Sequence, residues 1–407
     1  MSMPKSLTVQ MMTHHQSKHD SSQSTLRIVS AVRLIVPCIL GLMLSSCVDD
    51  RAVSAAKKAT NTARWPTDEG VPFKQWYMRT QNTDGSQLAH YIVEYGVEAK
   101  PGNTVIVLHG GWGAEHSYLI PAIRPIADTH RFVLYDQRGS LRTPVSPPAK
   151  ISYSALVEDL EQLRQRLGLD KVTLMAHSMG NHLAYGYLRA HPERVAGLIL
   201  VGAVPPAALT DEEPAFLKDV WPGYSRSDAA AIATRKETWA RDWSDRCLNI
   251  AIEEGLIPKD WAVKHPPETN PNLQALYIKK DQDKTAFWRM CYTAVNTFGG
   301  NNWREMQGGM VYYTQAAADA VLADPVYETA VREFWPTLKG FGGPVRVIIG
   351  THDYVDIGPV FWPKLVSKMP NARLAVIQNA GHSAWMDEPG EFTRTLRSAL
   401  NETTKSR

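Results

Sequence analysis

The stretch Lys171-Val172-Thr173-Leu174-Met175-Ala176-His177-Ser178-Met179-Gly180-Asn181 passes from an apolar, β-branched run into helical text across a tight turn. Lys171 to Met175 predicts a buried strand, and Asn181 to Arg189 predicts a helix. A serine on such a strand-to-helix turn is held out from the backbone in a strained conformation, so small residues are needed two positions either side of it. Ala176 and Gly180 meet that need. Ser178 is therefore the candidate nucleophile, and the helix N-terminus behind it favours developing negative charge. The competing reading of the same residue is a coincidental helix-capping serine.

Similar apolar runs recur on both sides: Thr104 to Leu108, Phe132 to Tyr135, Leu198 to Val201, Val345 to Ile349 and Leu374 to Ile377. Continuous apolar runs suit parallel strands buried on both faces. Between two of them, Tyr153 to Leu167 carries Leu156, Leu160, Leu163 and Leu167 at helical spacing, with Gly168 as its stop. Upstream, Lys74 to Thr80, a turn at Asp84-Gly85 and Leu88 to Tyr95 read as an antiparallel hairpin at one sheet edge. The alternation predicts an α/β chain with a mostly parallel, doubly wound sheet.

From Val204-Pro205-Pro206 to Gly340 the strand rhythm stops and helical text takes over. The expected organisation is a core over 65–204 and 341–407, with a helical lid over 205–340 inserted before the strand that should carry the acid. Seven of the twelve tryptophans fall in that insertion: Trp221, Trp239, Trp243, Trp261, Trp288, Trp303 and Trp335. They either line an apolar pocket or, like Trp239 and Trp243 at i and i+4, pack lid helices together.

A serine hydroxyl is a poor nucleophile near neutral pH until a base takes its proton. In this strand order the acid and then the base follow the serine. Gly381-His382 comes after the last strand, which makes His382 the candidate base, against a surface loop histidine. His177 lies beside the serine and points elsewhere, while His109 and His352 do not fit the chain order. Gly350-Thr351-His352-Asp353 places Asp353 just past the preceding strand; Asp356 is its rival three residues on. Two N–H donors for an oxyanion would come from Met179, after the nucleophile, and from the loop His109-Gly110-Gly111-Trp112-Gly113, with Gly111 the best placed.

The net charge of +3 belongs to the N-terminus. Residues 1–46 hold Lys5, Lys18, Arg27 and Arg33 against Asp20 alone, which leaves 40 basic and 40 acidic residues in the rest. A neutral body without a basic stripe argues against nucleic-acid binding. Arg27 and Arg33 precede the apolar run Leu34 to Leu44, too short to span a bilayer as a helix, so it reads as a secretory signal over residues 1–46. Leu44-Ser45-Ser46-Cys47 resembles the lipobox of bacterial lipoproteins. That resemblance implies acylation of Cys47, export to a bacterial periplasm and a membrane contact through the lipid alone, with residues 47–64 as a flexible tether; an ordinary signal peptide with an incidental Cys, or a signal anchor, stays open. Only Cys247 and Cys291 remain in the mature body, as one disulfide or as two separate thiols. No His or Cys spacing suggests a metal, and no cofactor is expected.

Taken together, Ser178, Asp353, His382 and the His-Gly-Gly loop resemble the α/β-hydrolase superfamily. His109-Gly110-Gly111-Trp112-Gly113 is similar to the His-Gly-Gly-Pro-Gly of prolyl iminopeptidases, and Asp136-Gln137-Arg138-Gly139-Ser140 to their Asp-Gln-Arg-Gly turn. The resemblance implies removal of an N-terminal residue, often proline, from a short peptide, with lid carboxylates gripping the amine. Glu212, Glu213, Glu237, Glu253 and Glu254 lie in the insertion but match no motif for that task. Three motifs depart from the family: the elbow reads Ala-His-Ser-Met-Gly where the family has Gly-Gly-Ser-Trp-Gly, Trp112 replaces its proline, and Leu141 replaces a glycine. The elbow is commoner in esterases, so a carboxylesterase or lactonase with the same triad is the alternative, and a non-catalytic binding lipoprotein is the alternative of another class.

Overall fold

The computed structural model describes residues 66–97, 101–145, 150–204, 217–253, 255, 257–264, 296–298, 314–353 and 358–404. Cys47 with the whole leader and tether, Cys291, Asp356 and the side chain of Cys247 lie outside the described residues, and with them the lipidation and disulfide expectations. Among the described residues no helix is long and apolar enough to cross a membrane.

Nine strands form one sheet in the order β1-β2-β3-β5-β4-β6-β7-β8-β9. The hairpin β2 (Val71–Gln81) and β3 (Gln87–Tyr95) is antiparallel, and β3 joins β5 (Arg131–Tyr135) antiparallel as well. From there β4 (Thr104–Leu108), β6 (Val172–Ser178), β7 (Val195–Ala203), β8 (Val345–Gly350) and β9 (Ala372–Ile377) run parallel. The hairpin is not the outermost element. A two-residue strand, β1 (Thr67–Asp68), pairs with β2 beyond it. Two residues are too short to show a period-2 pattern, so this strand carries no sequence signal.

The central strands are buried throughout: every residue of β4 and the last four of β5 are in the core. On one face Val105, Val107, Phe132, Leu134, Met175, Ile199, Val201 and Ile348 share a cluster with Phe392, Leu396 and Leu400 of the C-terminal helix Pro389–Thr404. The alternate residues, such as Ile106, Leu108, Leu174 and Ala176, are also fully buried and face the other layer, where helices Tyr153–Arg166 and Gly180–Ala190 pack. That two-sided burial is what the continuous apolar runs require. Helix Tyr153–Arg166 opens on Ser152, whose hydroxyl accepts from the Ala155 N–H, and closes at Gly168, φ +67°.

Between β7 and β8 the described residues carry helices, among them Arg226–Glu253, Gln315–Leu322, Pro325–Arg332 and Phe334–Gly340. Trp335 is buried there, its indole N–H donating to Asp219 at 2.7 Å. Trp221 stacks edge-on to Tyr224 and lies under Lys364, 3.8 Å from its ring centroid. For these two tryptophans the surroundings are those of packing. Trp239 and Trp243, of whose side chains nothing is described, and Trp288 and Trp303 fall outside this comparison.

Candidate active site

The elbow is built by the break between β6 and the helix that follows. Ser178 ends β6 with φ +53°, a left-handed conformation that costs a residue with a Cβ about 1–2 kcal/mol. The β6–β7 register slips at the same point, from His177 opposite Val201 to Ser178 opposite Ala203. Ala203 is itself held by Trp362, whose indole N–H donates to its carbonyl at 2.7 Å. Close packing enforces the turn. A Cβ added to Gly110 would stand 2.6 Å from the Cβ of Ser178 and 2.9 Å from the His177 carbonyl oxygen, so the loop after β4 approaches Ser178 as only glycine can.

Asp353 and His382 meet as the chain order predicts. His382 Nδ1 lies 3.0 Å from both carboxylate oxygens of Asp353, and both residues are buried. The Nδ1–H donates to the carboxylate, which fixes the tautomer and leaves Nε2 as the basic nitrogen. His382 is tied to the nucleophile strand through His177, whose ring centroid is 4.7 Å from its own. Asp353 is in contact with His382, and its rival Asp356 lies outside the described residues.

His177 is not a second base. Its side chain is buried, Nε2–H donates to the His382 carbonyl at 3.2 Å, and Nδ1 accepts from the Tyr118 hydroxyl at 2.8 Å. Burial holds this imidazole well below its ordinary pKa, with the neighbouring His382 adding to the effect, so it stays neutral. The Tyr118 oxygen in turn accepts from the Gly110 N–H at 2.7 Å. One directed chain thus links the glycine loop, the elbow and the base loop. Tyr118 carries no motif in the sequence; only the fold brings it beneath the elbow.

With the Gly110 amide so engaged, no acceptor among the described residues binds the Gly111 N–H, and Gly111 adopts φ +68°. Met179 caps the helix Gly180–Ala190, where the first N–H groups have no acceptor within the helix. These are the two amides expected to hold an oxyanion. Trp112, the departure from the resembled motif, is buried edge-on against Tyr153 and Tyr327, at 6.1 and 6.0 Å between centroids. Tyr327 belongs to helix Pro325–Arg332, so this tryptophan fastens the oxyanion loop to the insertion. Leu141, the other departure after the Asp-Gln-Arg-Gly turn, is 42% exposed and displaces nothing in the core.

The Asp136-Gln137-Arg138-Gly139 turn supports the site from behind. Gln137 donates its side-chain amide to the His109 carbonyl at 3.0 Å, and Asp136 accepts from His116 at 2.5 Å. Arg138 is buried and makes a two-pronged pair with Asp159, at 2.6 and 2.8 Å, plus a bond to the Ser86 hydroxyl. Burial alone would raise the Asp159 carboxyl, but His90 and Arg138 outweigh it and bring the pKa down to about 2 from 3.8. A carboxylate depressed in the folded state stabilises the fold above its unfolded pKa and loses that contribution as pH falls through the folded value. Asp159 therefore contributes about 2 kcal/mol at neutral pH that disappears between pH 4 and pH 2, roughly. Arg138→Met, which leaves Asp159 buried without this partner, is expected to lose about 3–5 kcal/mol in urea unfolding at pH 7 and to flatten that acid limb. A loss below 1 kcal/mol, roughly, would mean that the pair is not the staple its geometry describes.

Glu115, His116 and Asp136 bring metal-type ligand atoms within 4.8 Å of one another. Each is already engaged: Glu115 accepts from the Ser117 N–H and hydroxyl, while Asp136 takes His116 and the Arg142 N–H. The trio reads as a hydrogen-bonded scaffold for the oxyanion loop. Of the glutamates considered for amine binding, Glu253 is exposed, and Glu212, Glu213, Glu254 and the side chain of Glu237 lie outside the described residues.

Comparison with known proteins agrees with this fold. Residues 103–389 match the family model described as alpha/beta hydrolase fold. A proline iminopeptidase of Lactobacillus delbrueckii subsp. bulgaricus is 24% identical over 336 residues, covering 81% of this chain and 96% of that protein. A shorter match, 40% over 104 residues, joins 25% of this chain to 33% of the proline iminopeptidase of Neisseria gonorrhoeae. Among solved structures, an esterase from Exiguobacterium antarcticum superposes with a TM-score of 0.51 at 19% identity, covering 80% of this chain and all of that one, a likeness of fold. The chain belongs to the alpha/beta hydrolase fold family, and is a hydrolase that resembles the prolyl iminopeptidases.

Proposed function

We propose that the protein hydrolyses an acyl bond through a covalent intermediate on Ser178, with His382 as general base and acid and Asp353 as its partner. The observation that carries this reading is the buried Asp353–His382 pair, 3.0 Å from both carboxylate oxygens, beside a serine held at φ +53°. The Ser178 Oγ attacks the substrate carbonyl carbon as His382 Nε2 takes its proton. The resulting oxyanion is held by the Met179 and Gly111 N–H groups. The tetrahedral species then collapses, His382 returns the proton to the departing amine or alcohol, and the acyl group stays on Ser178. Water attacks this ester with His382 as base, releasing the acid and restoring the serine. Asp353 holds the ring in place and stabilises the imidazolium.

The substrate class proposed is a short peptide or amide with a free N-terminus, as in an aminopeptidase of the prolyl iminopeptidase type. Support comes from the likeness to the Lactobacillus protein along 96% of its length and from the two loops flanking the nucleophile. The Ala176-His177-Ser178-Met179-Gly180 elbow favours a second reading, a carboxylesterase or lactonase. We further propose export and anchoring through Cys47, supported by Leu44-Ser45-Ser46-Cys47 behind an apolar run. The test of substrate is kcat/KM on a prolyl arylamide against a short-chain aryl ester, using protein starting at residue 48. Preference for the amide, abolished when its amine is blocked, is expected. Turnover of the ester alone would overturn the peptidase reading in favour of the second.

A further inference from the structure

The backbone on both sides of His382 is held, on one side by the insertion directly and on the other by Asp387, which the insertion also contacts. The amide before its own, Gly381 N–H, donates to the Asp387 carboxylate at 2.9 Å, and the amide after it, Ser383 N–H, donates to the Asn296 carbonyl at 2.6 Å. The oxygen of Asp387 that takes Gly381 also takes the Phe298 N–H at 2.7 Å. Asn296 to Phe298 is a segment of the insertion between β7 and β8, tied to the long helix Arg226–Glu253 by Arg246, which donates to the Thr297 carbonyl at 3.0 Å. The same segment reaches the acid loop: the Phe298 ring lies 4.2 Å from that of His352, the residue before Asp353. The packing is tight, since a Cβ on Gly381 would stand 2.9 Å from the Asn296 oxygen.

We propose that Asp387 is a positioning residue which, with the insertion segment Asn296–Phe298, sets the place of the catalytic base, so that the state of the insertion is read directly by His382. Nothing in the reaction needs a carboxylate at 387, which is beyond the base and accepts the main-chain amides of Gly381 and Phe298. What it does is geometric. An imidazole has to meet the serine proton within about 0.5 Å of its working position, and a misplacement of about 1 Å costs on the order of 100-fold. A base loop fastened to an inserted helical unit by one flanking amide directly, and by the other through the shared Asp387 carboxylate, moves when that unit moves. A substrate that contacts the insertion would thereby influence the base as well as being bound.

The proposal rests on His382 being the base, so the experiment is arranged to tell the two apart. Purified protein is titrated with a fluorophosphonate to count reactive serines, and the labelling rate per reactive serine is then measured together with kcat and KM on the best ester or amide. Asp387→Ala is expected to lower the per-site labelling rate and kcat by roughly 100-fold with little change in KM. Asp387→Asn, whose single amide oxygen can still accept both N–H groups, is expected to recover most of that loss. Phe298→Pro, which removes both contacts of this residue, the N–H donor to Asp387 and the ring beside His352, is expected to lower the per-site rate while the Gly381 bond remains. Wild-type protein that fails to label would overturn the triad reading and this proposal with it. If the wild type labels and Asp387→Ala labels equally fast per site, with only fewer reactive serines, Asp387 has a merely structural role and the positioning proposal falls alone. Phe298→Pro at the wild-type per-site rate would overturn the link to the insertion.

Discussion

Ser178→Ala is expected to lower kcat by about 10⁶-fold while leaving the fold and substrate affinity intact. The size of the effect follows from the chemistry, because without the Ser178 hydroxyl no acyl-enzyme forms. What remains is the rate that the Met179 and Gly111 amides and the binding site supply to direct attack by water, on the order of 10³-fold over the uncatalysed reaction. Two measurements check it: steady-state turnover, and mass spectrometry of protein treated with a fluorophosphonate, where the adduct should map to Ser178 and vanish in the variant. Alanine should be well tolerated at a position held at φ +53°, and it relieves no clash, so a thermal melt near that of the wild type is expected. Retained turnover in this variant would remove Ser178 from the mechanism and return the chain to a reading in which the fold is kept for binding.

Asp353→Asn comes second, with an expected fall of about 10⁴-fold in kcat at neutral pH. The carboxylate touches His382 Nδ1 with both oxygens at 3.0 Å and is fully buried, so the pair is one electrostatic unit. Asparagine preserves the shape, but its amide nitrogen can donate to Nδ1, which favours the tautomer with the proton on Nε2, facing the serine with the wrong atom. The charge that stabilises the imidazolium is lost as well. KM should change little, since substrate does not contact residue 353. The parallel variant Asp356→Asn is expected to keep most of the activity. The reverse pattern, with 356 sensitive and 353 tolerant, would move the acid three residues along the loop.

The two effects differ in kind from those expected behind the site. Arg138 and Asp159 stabilise the scaffold of the oxyanion loop, so their loss should appear first in unfolding and only afterwards in rate. Asp387 lies between these cases: it bonds no substrate, yet it holds the amide next to the base. Separating the count of reactive serines from the rate at each one distinguishes the three.

Much of this molecule was determined locally and was therefore legible in the sequence. Buried parallel strands need unbroken apolar runs, and β4, β6, β7 and β8 were visible for that reason. A strained elbow needs small neighbours, which marked Ser178, and the chain order placed Asp353 and His382 at the ends of β8 and β9. Only the tertiary structure decided what depends on several segments meeting. It paired Asp353 with His382 at 3.0 Å, put Tyr118 under the elbow between Gly110 and His177, and turned Arg138 inward onto Asp159. It gave Trp112 its partners Tyr153 and Tyr327, and brought Asn296 and Phe298 against the loop of the base. None of these contacts has a periodicity or a spacing, because each joins residues far apart in the chain. A sequence pattern records the neighbours that a residue has along the backbone, whereas a hydrogen bond across the fold records a distance that only the folded chain creates.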